Sequence, residues 1–424
     1  MQIVENLKVK EKLYTEKLEN GLTVMILPRK NTKKKYAIFG THFGSIDNTF
    51  IVPGENEQTN IPDGVAHFLE HKMFEQENGT NSLDVLSALG VNANAYTTND
   101  HTAYLFECTD KFYEALDELM DYVQNPYFTD ENVEKEKGII GQEIMMYDDY
   151  PAWQVYINAM NCMYKNNPVK LDIAGSIESI SKIDKEVLYK CYNTFYNPSN
   201  MAMVICGDFN PEELIEEIKK RLIEKPHQGE IKRIYPKEEE IINKKEETQQ
   251  MEVSNPLFII GFKDKVKDQE NIVKRHISIE ILLNMMLGKS SNLYKKLYEE
   301  GNLLSEPDLD YEFSKEYSHV LISGQSKNPK QVYEELKNTI KQYKENGLDN
   351  NHFERIKRKI YGDYVTEYND ITEVARMFLA DYFKGINSFE YLEEYNLVTQ
   401  DYAKQILEEV FKEENMILSI VNGK

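Results

Sequence analysis

The sequence predicts an α+β protein built from two homologous domains, each a mostly antiparallel sheet covered by helices. Three observations carry this expectation. At 424 residues the chain exceeds what one core organises and suits two domains of about 200 residues each. A capped helix followed by an apolar strand recurs at a fixed spacing. Strands and helices are also mixed without the regular alternation that builds a parallel sheet.

The repeat is clearest at the two tails. Ile183-Asp184-Lys185-Glu186-Val187 and Val398-Thr399-Gln400-Asp401-Tyr402 each set a capping residue, Asp184 or Thr399, ahead of an amphipathic helix. These helices end near Asn200 and Asn415, and the apolar strands MAMVIC (201–206) and MILSIV (416–421) follow without a gap. Every pair is separated by 215 positions (398 − 183, 415 − 200). The heads correspond more loosely, YAIFGTHFGS at 36–45 with NPLFIIGFKD at 255–264. Between head and tail the pattern predicts long amphipathic helices around a central hairpin. Residues 224–249 are nearly devoid of apolar side chains and carry both charge signs, which marks a linker between domains 1–223 and 250–424.

Composition narrows the function classes. Hydrophobic residues at 41% and charged residues at 29% describe an ordinary globular protein. A net charge of −22 argues against nucleic acid, whose phosphates need clustered Lys and Arg, and suits basic peptides better. The first 21 residues are charged throughout and lack the apolar core of a secretory signal. No stretch reaches the roughly 18 consecutive apolar residues of a membrane span, so no membrane is expected and the compartment reads as cytoplasmic. Cys108, Cys162, Cys191 and Cys206 lack CxxC spacing, which argues against a thiolate metal site or a disulfide framework.

The most informative dozen residues run from Gly64 to Glu75 and contain His67-Phe68-Leu69-Glu70-His71. On a helix, positions 67, 70 and 71 fall within about 100° of one another, so two imidazoles and a carboxylate share a face. Histidines at i and i+4 are spaced to hold one zinc ion, and a neighbouring Glu can take a proton from water at that metal. A catalytic zinc needs a third protein ligand and an open position. Downstream, Thr129 to Glu143 predicts a helix capped by Thr129, with Glu136 and Glu143 two turns apart on one stripe and Ile139, Ile140 and Ile144 giving it a buried side. A carboxylate on such a stripe needs a partner, which a zinc ion or a ligating His would supply, although most helical Glu are simply solvated.

Taken together, the His67–His71 motif followed by Glu136 and Glu143, 72 positions beyond His71, resembles the insulinase (pitrilysin) family of inverted-motif zinc peptidases. The similarity extends over the whole chain, including Phe195-Tyr196-Asn197-Pro198-Ser199-Asn200-Met201, and is strongest to the processing-peptidase-like zinc subunits of Gram-positive bacteria. The resemblance implies a zinc metalloendopeptidase with one Zn²⁺ per chain, its two domains joined as a clamshell. It implies that His67, His71 and Glu143 ligate the metal, that Glu70 is the general base, and that Glu136 orients a ligand from behind. It also makes 1–223 the zinc-bearing catalytic domain and 250–424 a non-catalytic domain closing the chamber. At the 215 offset the motif positions become Leu282, Met285 and Met286, which cannot hold zinc.

The hairpin after the motif supports peptide as the substrate. Gly90 to Thr97 predicts a strand, Asn99-Asp100 a turn, and Thr102 to Phe106 the return. Asn94-Ala95-Tyr96-Thr97 resembles the family's edge strand, where an extended peptide can add by main-chain hydrogen bonds, with Asn94 holding a substrate amide or carbonyl. Family members also use an Arg and Tyr pair from the second half or from a partner subunit. Arg376 and Tyr382 are a weak match for it. The expected assembly is a homodimer or a heterodimer with a homologous subunit, and the alternative role is a non-catalytic peptide-holding scaffold.

Overall fold

Backbone pairing exposes the duplication more fully than the side-chain pattern does. In a computed structural model, which describes residues 1–265 and 271–423, the chain divides into two compact units. The first comprises Met1–Ile144, Asp172–Tyr235 and Thr366–Ser388, and the second Met145–Leu171, Pro236–Val365 and Phe389–Lys424. Strands of the first unit are β1 (Gln2–Asn6), β2 (Glu11–Lys17), β3 (Thr23–Pro28), β4 (Lys35–Thr41), β5 (Thr49–Ile51), β6 (Gln58–Asn60), β7 (Asn92–Thr97), β8 (Thr102–Cys108), β9 (Met201–Gly207) and β10 (Lys232–Arg233). Its main sheet runs β1-β2-β3-β9-β4-β8-β7, and β10-β5-β6 form a small second sheet. Only β3 and β9 pair in parallel in the main sheet.

The second unit contains β11 (Glu246–Met251), β12 (Leu257–Asp264), β13 (Asp308–Phe313), β14 (Ser318–Gln325) and β15 (Met416–Gly423). Their order is β11-β15-β12-β14-β13, with β11 and β15 parallel and the other neighbours antiparallel. That is the β3-β9-β4-β8-β7 portion of the first sheet repeated strand for strand. The ladders also refine the repeat. Tyr36 pairs with Cys206 and Leu257 with Val421, so the tails keep the 215 offset while the heads are offset by 221 (257 − 36). The head alignment from sequence, which set residue 36 against 255, is therefore short by two.

Helices cover these sheets because their apolar residues fall on one face. Helix α1 spans Val65–Lys72, α2 Ser82–Ala88, α3 Phe112–Gln124, α4 Asp130–Asp148 and α5 Pro151–Met163. In α3 the buried set Phe112, Ala115, Leu116, Leu119, Met120 and Val123 meets Ala37 and Phe39 of β4 and Phe106 of β8 in one core. The other face of β4 presents Tyr36, Ile38 and Gly40. A Cβ on Gly40 would lie 2.8 Å from Leu379, so this face lies closely under the helix Ile371–Lys384, which also packs on β9. In the second unit, α5 packs on β12 and β15, with the Ser419 hydroxyl donating to the Val155 carbonyl at 2.8 Å. Each sheet thus takes one covering helix from the opposite half of the sequence.

Two sequence expectations change here. One unit boundary, Tyr235–Pro236, falls inside 224–249, but a single cut there does not separate the units, because α5 and Ile371–Lys384 are exchanged between the halves. Nor is that segment a free linker. Lys232-Arg233 pair with β5, and the Glu238 carboxylate accepts main-chain N–H groups from Lys165, Asn166 and Asn167 and the Lys263 ammonium. Charge runs read as solvent-exposed, yet here Arg233 and Glu238 each have a built partner.

Candidate metal centre

Helix α1 begins after Gly64, which holds φ +92° and where a Cβ would meet the Ala174 carbonyl oxygen at 2.4 Å. Only glycine suits both demands. Phe68 and Leu69, with Met73 at the C-cap, are fully buried and fix the helix rotation, leaving His67, Glu70 and His71 on the remaining face. Helix α4 opens with a reciprocal cap: the Thr129 hydroxyl accepts the Asn132 N–H at 3.1 Å, and the Asn132 side chain accepts the Thr129 N–H at 2.8 Å. Val133, Ile140 and Ile144 anchor α4 in the core. Ile139, expected on that buried side, is 46% exposed, because the apolar stripe runs through 133, 140 and 144 instead.

These two helices bring the predicted groups together. Glu143 Oε1 lies 3.7 Å from His67 Nε2, and Glu143 Oε2 lies 3.5 Å from His71 Nε2. One donor atom from each of the three residues fits within a 4.8 Å span. Ligands at about 2.0–2.1 Å from a tetrahedral zinc are roughly 3.4 Å apart, so the spacing and the N,N,O donor chemistry both fit this metal. Behind the triangle, His71 Nδ1 is 3.0 Å from Glu136 Oε1, which turns the Nε2 lone pair of His71 toward Glu143. The Glu70 Oε2 accepts a 2.6 Å hydrogen bond from the Thr97 hydroxyl on β7.

Burial and neighbouring charge set the protonation states. Burial, helped by His71, pushes His67 down to about 3, so its ring stays neutral. Burial also opposes charge on His71, but the Glu136 bond and the Glu70, Glu136 and Glu143 carboxylates outweigh it and raise its pKa. Burial raises both Glu70, against the Thr97 bond, and Glu143. Burial would raise Glu136 as well, yet the bond and charge of His71, with Lys72 and Lys135, hold it below the usual range.

Other sequence candidates fall elsewhere. Asn94 is exposed on β7, the sheet edge, and its Oδ1 accepts the Ala95 N–H at 2.9 Å. Because strand side chains alternate, Asn94 lies on the face opposite Thr97 and hence opposite Glu70. Arg376 and Tyr382 lie on that opposite face too: Arg376 Nε donates to the Tyr36 hydroxyl at 3.2 Å, and the Tyr382 hydroxyl lies 2.7 Å from Thr23 Oγ1. They are not beside the metal triangle, since the helix carrying them packs against the even-numbered residues of β4. Sequence reasoning missed Thr97 and Lys72. Period-two counting from the hairpin turn could have found the first, and the i,i+3 spacing of Lys72 and Glu75 hinted at the second.

Comparison with known proteins agrees with this geometry. A sequence profile described as Insulinase (Peptidase family M16) matches residues 51–176, and one described as Peptidase M16 inactive domain matches 182–360. The chain is 40% identical over 412 residues to a Bacillus subtilis (strain 168) protein named uncharacterized zinc protease YmfH, covering 96% of this chain and 95% of that one. The chain belongs to the insulinase family. A solved structure of an M16-like peptidase from Alicyclobacillus acidocaldarius superposes with a TM-score of 0.93 at 32% identity, over 99% of this insulinase-family chain and 100% of the other. The mitochondrial-processing peptidase subunit beta of Caenorhabditis elegans is 29% identical over 177 residues, 41% of this chain and 38% of that one. Among the described residues, no helix of this family member is long and apolar enough to cross a membrane.

Proposed function

We propose that this insulinase-family chain is a zinc-dependent endopeptidase that cleaves peptides or processes a small polypeptide. The observation that carries this is the Glu143 carboxylate set 3.7 and 3.5 Å from two imidazole Nε2 atoms, with Glu70 on the same helix face. His67, His71 and Glu143 would hold the metal, and Glu136 fixes the His71 ring from behind. Zinc bound there would supply Lewis-acid chemistry, lowering the pKa of water toward neutrality. Glu70 accepts the proton from the attacking water and returns it to the leaving amine nitrogen. Its burial favours this shuttle, because a raised carboxylate pKa brings uptake and release closer in energy.

The substrate adds to the edge strand. Thr98 N–H donates to the His101 carbonyl, so by antiparallel alternation residues 98, 96 and 94 bond inward to β8 while the N–H and C=O groups of Ala93, Ala95 and Thr97 point off the edge. Those main-chain groups grip an extended peptide, the Ala95 N–H exchanging its bond to Asn94 Oδ1 for one to the substrate. Selection then depends on backbone shape more than on side-chain identity.

Zinc content and cleavage of a mixed peptide library, compared between wild type and Glu70→Gln, test the reading. The expected result is one zinc per chain in both proteins, with cleavage falling by about 10²–10⁴-fold only in the variant. Absence of zinc from the wild type overturns it in favour of a peptide-holding scaffold. A second reading, that the chain is active only with a homologous subunit, is favoured by the engagement of Arg376 and Tyr382 on the far sheet face and by the processing peptidase relative named as a subunit. Zinc without cleavage, with activity gained on adding a homologous chain, supports that reading.

A further inference from the structure

The one lysine of α1 sits beside the proposed metal ligands, between two carboxylates. Lys72 is only 1% exposed, a burial that lysines almost never reach without a partner. Its ammonium contacts the Glu75 carboxylate and lies 3.7 Å from Glu136 Oε2. The other oxygen of Glu136 faces His71 Nδ1 at 3.0 Å. Glu136 is therefore held from two directions, by a fixed cation on one oxygen and by the ring on the other. Both Lys72 and His71 lie on α1, so the geometry of one helix sets where the carboxylate of the other can point. Lys72 is thus a buried cation shared by two carboxylates, Glu75 and Glu136.

We infer that Lys72 is a positioning residue for the metal centre, clamping Glu136 so that His71 presents Nε2 toward the position shared with His67 and Glu143. This rests on the zinc-binding reading given above. Lys72 acts through Glu136 and His71 and does not touch the reacting atoms. Glu75 also holds the ammonium, so the clamp has three parts in sequence: Glu75, Lys72 and Glu136.

The test is a double-mutant cycle on zinc affinity, read by chelator competition with wild type, Lys72→Met, Glu136→Gln and the double variant. Lys72→Met in the wild-type background is expected to weaken zinc binding about tenfold, within the range for groups that orient metal ligands. In the Glu136→Gln background the same change should alter affinity less than twofold, because the group it acts on is already uncharged. Lys72→Arg, which keeps the charge, should recover most of the affinity. Equal losses in both backgrounds, or unchanged affinity with a lowered melting temperature, overturn the proposal and leave Lys72 a packing residue. Should Lys72→Met fail to fold by circular dichroism, Lys72→Gln replaces it with the same expectation. Wild type that binds no zinc would instead refute the metal reading itself, so the two failures are distinguishable.

Discussion

Replacing Thr97 by Val removes one hydroxyl and keeps the β-branched shape that strand β7 favours. The lost interaction is the 2.6 Å bond to Glu70 Oε2, short enough to be a charge-assisted hydrogen bond. Bonds to charged groups contribute roughly 1.5–3 kcal/mol, and Glu70 is only 9% exposed, so water replaces the donor poorly. At about 1.4 kcal/mol per tenfold, kcat/KM should fall roughly 10- to 100-fold. Zinc content should not change, because Glu70 is not among the proposed ligands. The pH dependence gives an independent sign. Burial raises the Glu70 pKa and the Thr97 bond lowers it, so removing the bond raises it further. The base must be ionised, and the acid limb of kcat/KM therefore moves to higher pH in the variant. Initial rates on a quenched fluorescent peptide from pH 5 to 9 would measure both effects, and Thr97→Ser should restore them. If Thr97→Val with full zinc keeps its rate within twofold and its acid limb unmoved, the hydroxyl does not hold the base.

Further outcomes follow from the same structure. Zinc uptake by metal-free protein at pH 6.5 should release protons, since His71, raised above its usual value, is mostly protonated there while His67, at about 3, is already neutral; calorimetry in buffers of different ionisation enthalpy counts them, and zero release would contradict the assignment. Glu238 sits near 2, below its ordinary 4.5, because hydrogen bonds from Lys263 and the 165–167 main chain outweigh burial. Its contribution is thus present above about pH 4.5 and lost as pH falls toward 2, so Glu238→Gln should destabilise at pH 7 and match wild type near pH 2 in urea titrations. Residues 1–223 expressed alone lack Leu379 over Gly40 and should show no cooperative unfolding; a sharp two-state melt from that fragment would show that the exchanged helix is dispensable.

Local chemistry was legible in the sequence, and side choices were not. The tail repeat could be read because helix caps are short-range: Asp184 accepts the Val187 N–H at 2.8 Å and Thr399 the Tyr402 N–H at 3.2 Å. The metal triangle could be read because i,i+4 spacing fixes a helix face before anything packs against it. Ile371–Lys384 is just as plainly amphipathic, yet periodicity says only that one face is buried and not which sheet buries it. The placement of Asn94 was hidden for a related reason. Alternation separates it from Thr97, but which of the two faces α1 is decided by the sheet, where Ala93 and Ala95 pack on the core. Lys72 was hidden because its carboxylate partner on α4 is 64 positions away (136 − 72).

The exchanged helices also impose an order on biosynthesis. Chains leave the ribosome from the N-terminus, and domains generally fold as units as they emerge. Residues 67 to 143, which hold every proposed ligand, are made long before the helix Ile371–Lys384. The helix that closes the far face of their sheet ends at Lys384, so that face stays uncovered until synthesis has passed that residue. A prematurely terminated product would therefore carry all the metal-binding side chains on an unfinished scaffold. The late helix works as a completeness check: the sheet beside the proposed ligands is covered on both faces only once Ile371–Lys384 has been made.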